Sequence, residues 1–347
     1  MKVSRKVIVG AAALTVAASA LITTSAGSAK PSKQVAGFKM AIVTDVGSIQ
    51  DRSFNQLANE GRIAIGKQLG IPTRVYETKS EAERIPNALA ASRAGYNLIF
   101  EVGFLNFTAT DAVAPKFPTT KYAGIDQDYA LFKHKPKNAT GIVFAEQEGG
   151  FLVGYLAGLQ IKKQGGKQII SAVGANNVPA IVHYLAGFRA GAKKADPKVT
   201  VLINYANDPT FNDQTKCKVT TQNQISRGSG IVFEAAGGCG LGGLTAAKQA
   251  GIWGIGVDAN QGFLGPHILT SALKKVDVAV YDAIKEFKAD PTGFKGGVDT
   301  VYDLKNGGVG YAPLSTKVSA ADRTYITAKV NAIAKQIASG KIVPPTK

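Results

Sequence analysis

Short β-branched runs alternate with helical patterns along nearly the whole chain, and this alternation restricts the fold more than any single motif. Met40–Val43 reads as a strand, followed by a helix that Ser53 can cap and that continues to Leu69. Strands at Thr73–Glu77, Asn97–Val102 and Lys121–Ile125 are separated by helices at Glu81–Arg93 and Phe107–Lys116. Thr140–Phe144 then leads into a long glycine- and alanine-spaced helix, Gln147–Lys163, whose small residues predict close packing. A second series follows. Strands at Gln168–Val173, Val199–Asn204, Gly230–Glu234 and Trp253–Val257 are spaced by helices at Val178–Lys194, Asn212–Arg227 and Leu241–Ala250. Beyond a break at Asn260–Pro266 come Ile268–Leu273, a helix at Val276–Phe287, a strand near Gly297–Leu304 and a final helix at Ala320–Ser339.

Two βα series without a disordered linker predict an α/β fold of two doubly wound lobes. The expected chain crossings lie near Phe144–Gly150 and near Asn260. They assign residues 38–145 plus about 261–295 to the first lobe, and 146–260 plus about 296–343 to the second. Several short hinges of this kind would let the lobes close on a ligand. No internal repeat is visible beyond the βα alternation itself.

The first 29 residues have a secretory layout. Lys2, Arg5 and Lys6 precede an apolar run from Val7 to about Leu21, and small residues follow through Ala29. The run is shorter than the roughly 20 residues a spanning helix needs, so export with cleavage is expected, at the outer face of the plasma membrane. No cysteine stands near the cleavage region, which argues against lipid anchoring by that route. The chain is basic, with a formal charge of +17. Its cations are spread out, without the clusters or interleaved aromatics of a nucleic-acid groove, and a nearby anionic membrane or wall suits them better.

Cys217 and Cys239 are the only cysteines, and an even count in an exported chain favours a bond between them, with two separate buried thiols as the competing reading. His134, His183 and His267 have no ligand spacing with each other or with the cysteines, so no metal or other cofactor is expected. Gly238-Cys-Gly240-Leu-Gly-Gly243 matches G-x-G-x-x-G after a strand, with Asp258 downstream where a ribose-binding acid would lie. Dinucleotide domains usually open with this motif. Here it lies deep in the second series, and no catalytic partner is evident. A tight strand-to-helix turn is the plainer reading, and no enzyme is expected.

Binding residues are better supplied. The polar, glycine-containing turn after the first strand carries Asp45, Asp51 and Phe54, and other strand ends carry Asn106, Asp126, Phe233 and Asp258. In an open α/β sheet, the crevice outside the carboxyl ends of the strands is where ligands bind. Carboxylates suit hydroxyl and base N–H donors, and phenyl rings suit a planar base.

Thr44-Asp-Val-Gly47 with Asp51-Arg-Ser-Phe-Asn55, Gly124-Ile-Asp126, Gly149 to Gly158, Phe233-Glu-Ala-Ala-Gly-Gly238, Gly256-Val-Asp258 and Thr270-Ser-Ala-Leu-Lys274 together resemble the basic membrane protein family of ABC-transporter substrate-binding proteins, which includes purine nucleoside receptors. The resemblance implies a type I periplasmic-binding-protein fold with three crossovers, acting as a monomer that delivers a nucleoside to an ABC permease. It implies Phe54 and Phe233 on the two faces of the base, and Asp45 and Asp126 at its polar edge, with Asn55 and Asn106 beside them. It implies Asp258 and Lys274 on the ribose, near the Gly237-Gly238 turn. The chain departs from the family pattern at Asn260-Gln261 and at Cys239, so a sugar or another polar metabolite is the alternative ligand.

Overall fold

The computed structural model describes residues 37–347; the expected secretory segment lies outside these residues. Six strands form a first sheet: β1 (Met40–Val46), β2 (Thr73–Thr78), β3 (Leu98–Val102), β4 (Lys121–Ile125), β5 (Ala139–Phe144) and β11 (Asp299–Tyr302). Their spatial order is β11-β5-β4-β3-β1-β2, parallel throughout. The second sheet holds β6 (Ile169–Gly174), β7 (Thr200–Tyr205), β8 (Ile231–Ala235), β9 (Trp253–Asp258), β10 (Ile268–Lys274) and β12 (Val309–Tyr311). Its order is β12-β10-β9-β8-β6-β7, with only β12 antiparallel. These are two α/β lobes of the type I periplasmic-binding architecture.

The helices of the first lobe are α1 (Phe54–Leu69), α2 (Arg84–Arg93) and α3 (Phe107–Val113), followed in the second by α4 (Glu146–Gln164), α5 (Pro179–Ala195), α6 (Gln214–Ser226) and α7 (Gly240–Gln249). α8 (Val276–Ala289) returns to the first lobe, where Val276, Val280 and Ile284 join Met40, Ile42 and Phe100 in one core cluster. α9 (Ala320–Ala338) buries Ile326, Val330 and Ile333 in the core of the second lobe. Central strands such as β3, with all five residues buried, need helices over both faces, which is why their runs read as continuously apolar. α4 and α5 meet backbone to backbone. A Cβ at Gly150 or Gly154 would overlap a carbonyl of α5, and one at Gly187 or Gly191 a carbonyl of α4.

The chain first passes from one sheet to the other at Ala145, and it does not pass back near Asn260. β10 stays in the second sheet, with Ser271 opposite Gly256 and Leu273 opposite Asp258, so the chain leaves only at Lys275. Conversely, β11 belongs to the first sheet, pairing Asp299–Tyr302 with Gly141–Phe144. The cause is edge pairing: β10 sits between β9 and β12, and β11 covers the open side of β5. The third crossing runs from Tyr302 to Val309.

The two lobes also match strand for strand. Strands β2-β1-β3-β4-β5 of one correspond to β7-β6-β8-β9-β10 of the other. Asp126, the residue after β4, and Asp258, the last residue of the equivalent β9, have φ of 62° and 61°, a left-handed conformation uncommon for a non-glycine residue.

Candidate functional site

Strand order reverses between β1 and β3 in one sheet and between β6 and β8 in the other. At such a point the connections leave in opposite directions and open a crevice at the carboxyl ends of the strands. The two crevices face one another and line a cavity of about 70 Å³, where one water needs roughly 10–15 Å³. Asp45, Phe54, Asn55, Phe104 and Asp126 line it from the first lobe, and Tyr184, Phe211, Gly237, Asp258 and Lys274 from the second.

The turn after β1 is organised by Asp51. Its carboxylate accepts from the backbone N–H groups of Ser53 (2.8 Å), Asn55 (2.9 Å) and Gln56 (3.1 Å), satisfying donors at the start of α1. Ser53, expected to cap this helix, makes no capping bond. Its Oγ instead donates across the cleft to Asp258 Oδ2 at 2.6 Å. Asp45 is fixed by the N–H of Val46 at 2.7 Å and lies 3.5 Å from the buried Arg84 guanidinium. Gly103 is required beside it, because a Cβ there would overlap the carboxylate.

Lys274 stands at the centre, 2% exposed, with Nζ 2.6 Å from Asp126 and 2.8 Å from Glu146. It also lies 5.0 Å from the centroid of the Phe54 ring. Burial alone would lower its pKa, but Asp126, Glu146 and Asp258 together raise it, so the ammonium persists. One ammonium among three carboxylates leaves acid in excess. Burial raises Asp126 to about 7 against the pull of Lys274, and burial also raises Asp258. Asp45 and Asp51 rise to about 6 for the same reason, opposed by their N–H donors. Glu146 goes the other way: burial pushes it up, yet Lys274 and His183 together outweigh this and hold it low. Asn55 Oδ1 and Asp126 Oδ1 are buried without a hydrogen-bond partner among the described residues. Cavity walls carrying unpaired acceptors beside rings suit a flat ligand rich in N–H and O–H donors.

Of the expected residues, Asp45, Phe54, Asn55, Asp126, Gly237, Asp258 and Lys274 thus share one cavity. Phe233 does not reach it. Its ring is fully buried in the core of the second lobe, edge-on to Tyr184 at 5.8 Å and tilted against Phe188 at 5.3 Å. Asn106 is also fully buried, its Nδ2 donating to the carbonyls of Val43, Thr44 and Val102, so it ties the ends of β1 and β3 together. Gly238 lies outside the lining, packed against Asn212 and Phe211. Tyr184, Phe211 and Glu146 were not anticipated. Phe211 follows a strand end, the signal that marked the other candidates, but the loop from Ala206 to Asp213 hides that link. Cys217 and Cys239 are disulfide-bonded, with Cα atoms 5.5 Å apart.

The glycine motif has a packing explanation. A Cβ at Gly243 would overlap the buried Glu234 carboxyl, and one at Gly240 would lie 3.0 Å from its Cβ. These glycines make room for a side chain beneath α7. Among the described residues, no group of three or more His, Cys, Asp or Glu side chains is arranged to hold a metal ion, and no helix is long and apolar enough to cross a membrane.

Comparison with known proteins accords with this geometry. "ABC transporter nucleoside-binding protein BmpA" of Lactococcus lactis is 32% identical over 331 residues, 89% of each chain. An uncharacterised lipoprotein of Pyrococcus horikoshii is 36% identical over 286 residues, covering 79% of this chain and 68% of that one. The crystal structure of an ABC transporter solute-binding protein from Aeropyrum pernix superposes with a TM-score of 0.77 at 28% identity, over 89% of this chain and 94% of that one. Family and fold are those of solute-binding proteins, which are not enzymes. Residues 38–343 match the Bmp family, and the chain belongs to this family of PnrA-like ABC transporter substrate-binding proteins.

Proposed function

We propose that this substrate-binding protein captures a nucleoside, a purine nucleoside foremost, in the cleft between its lobes and hands it as a monomer to an ABC permease outside the cytoplasm. The observation that carries this reading is the convergence of both strand-order reversals on one cavity walled by Phe54 and Phe211 and edged by buried carboxylates. Phe54 and Phe211 provide ring faces from opposite lobes for a planar base. Asp45, Asn55 and Asp126 provide acceptors for its N–H groups, and Asp258 and Lys274 bond the ribose hydroxyls. A buried acceptor without a donor is unfavourable, so a ligand that fills those valences gains affinity and selectivity together. The relative from Lactococcus lactis, named as nucleoside-binding, supports the same ligand class.

Isothermal titration of the purified protein with adenosine, guanosine, free bases and monosaccharides tests this. Saturable binding of nucleosides above bases and sugars is expected, with the nucleoside recovered unchanged. Preference for a monosaccharide, or no heat with any nucleoside, rejects the assignment.

A further inference from the structure

We propose that the Cys217–Cys239 disulfide is a positioning element of the binding site, holding the Phe211 ring against the cavity, beyond any general stabilisation of the second lobe. The inference rests on Phe211 being a wall of the nucleoside site. The bond joins the first turn of α6 to the residue preceding α7, and both sulfur-bearing residues are fully buried. Those two helices begin where the two cavity-lining loops end. One loop, Ala206–Asp213, carries Phe211; the other, Ala236–Cys239, carries Gly237.

Phe211 needs restraint. Its φ is 55°, a left-handed backbone unfavourable for a bulky residue and maintained only where the surroundings over-determine it. Asn207 in the same loop has φ 53°. Three sets of ties hold the segment. Asp208, 1% exposed, accepts from the N–H groups of Thr210 (3.0 Å), Asn212 (2.7 Å) and Asp213 (2.7 Å) and from Thr210 Oγ1 (2.7 Å). This shapes the loop internally. A second set fixes its entry to the end of β6, where the N–H groups of Ala206 and Asp208 donate to the carbonyls of Gly174 and Ala175, each at 2.8 Å. The third set fixes Phe211 itself. Cys239 donates its N–H to the Phe211 carbonyl at 2.9 Å, and its Sγ lies 3.0 Å from the Asp213 carbonyl. Gly237 packs on the Phe211 side, where a Cβ would come within 3.5 Å of Phe211 Cβ. Cys239 therefore touches the Phe211 loop directly, and the covalent link to Cys217 keeps it in place.

The test is a thermodynamic cycle on the full chain with adenosine as probe, comparing wild type, Phe211→Ala, Cys217→Ala/Cys239→Ala and the triple variant. The double cysteine variant should bind adenosine about tenfold more weakly, the order of one lost base–aromatic contact. The triple variant should bind no more weakly than Phe211→Ala alone, because the sulfur bond acts through that ring. A merely structural bond would lower the melting temperature yet leave the affinity of folded molecules unchanged; unchanged affinity, or losses that simply add in the triple variant, overturn the proposal. If wild type binds no nucleoside, the ligand assignment fails, and hydrogen exchange then judges the positioning alone. Loss of the disulfide should speed exchange at Phe211–Asp213 and Gly237–Cys239 and leave β6 and β9 unchanged; uniform acceleration overturns it. Should the cysteine variants not fold, the wild-type Cys239 amide decides: it should exchange as slowly as β8, and exchange at the rate of exposed loops overturns the idea.

Discussion

Ser53 Oγ in the first lobe donates to Asp258 Oδ2 in the second, 2.6 Å away, in a buried bond that spans the cleft. Asp258 also faces the Tyr184 hydroxyl at 3.4 Å. A hydrogen bond to a charged acceptor contributes roughly 1.5–3 kcal/mol, and this one exists only when the lobes are together. Ser53→Ala should therefore favour the open form and weaken nucleoside binding by about tenfold. Small-angle scattering should show a larger radius of gyration for the variant without nucleoside. An unchanged radius and dissociation constant would show that the bond does not govern closure.

Lys274 joins Asp126 of the first lobe to Glu146 of the second. Removing one member of a buried charge cluster leaves the others uncompensated, at about 3–5 kcal/mol. Lys274→Met should lower the melting temperature strongly at neutral pH. Without the ammonium, Asp126, Glu146 and Asp258 would all take up protons more readily, so the deficit should shrink as pH falls. A deficit that is the same at pH 5 and pH 8 would contradict this account.

The aromatic residues separate site from core. Phe54→Ala and Phe211→Ala should each weaken nucleoside binding by roughly 1–3 kcal/mol with small changes in melting temperature, since both rings are only partly buried. Phe233→Ala should cost about 3–5 kcal/mol of stability while the folded fraction binds normally. A selective binding defect in Phe233→Ala would return that ring to the site.

Phe233 also shows where sequence reading reaches its limit. The βα alternation made both sheets and most helices legible, because apolar period and turn residues are local signals. Asp45, Asp126 and Asp258 were legible as strand-end residues, since the crevice of a parallel sheet lies there whatever the loop does. Which ring faces that crevice from the second lobe was not legible. Phe233 sits inside β8 and turns toward Tyr184 and Phe188, whereas Phe211 is brought in by a loop with two left-handed residues. The lobe of β10 and β11 was hidden for a related reason: strand partners are set by which sheet edge is open, a long-range property. The likeness of Phe100-Glu101 to Phe233-Glu234 is too short to stand out as a repeat until the strand orders are compared.

Glu234 is a buried acid with a stability signature. Thr221 Oγ1 donates to one of its oxygens at 2.6 Å, and the other has no partner among the described residues. Burial raises its pKa well above the ordinary glutamate value, with Thr221 opposing. A folded-state pKa above the unfolded one gives stability that is complete below the unfolded value and lost as pH rises through the folded value. Glu234→Gln removes this titration while keeping the shape. Its melting temperature relative to wild type should improve steadily as pH rises from 5 to 8; a pH-independent difference would show that the carboxyl is not held neutral.

The glycines beside Glu234 permit a sharper test of why the motif exists. Gly242 lies against α6, and a Cβ there would overlap the Gln214 carbonyl, a backbone atom that moves only with its helix. Alanine in a helix interior normally stabilises by about 1 kcal/mol over glycine, so steric overlap must outweigh a real gain. Overpacking of this kind is unfavourable by roughly 1–3 kcal/mol or more, and Gly242→Ala should destabilise on balance. Gly243→Ala crowds the Glu234 carboxyl instead, and combining it with Glu234→Ala should recover stability relative to Gly243→Ala alone. Nicotinamide dinucleotide should raise the melting temperature of none of these proteins, nor of wild type. Stabilisation by the dinucleotide that Gly243→Ala abolishes would mean that the glycines serve a phosphate and not a buried carboxyl.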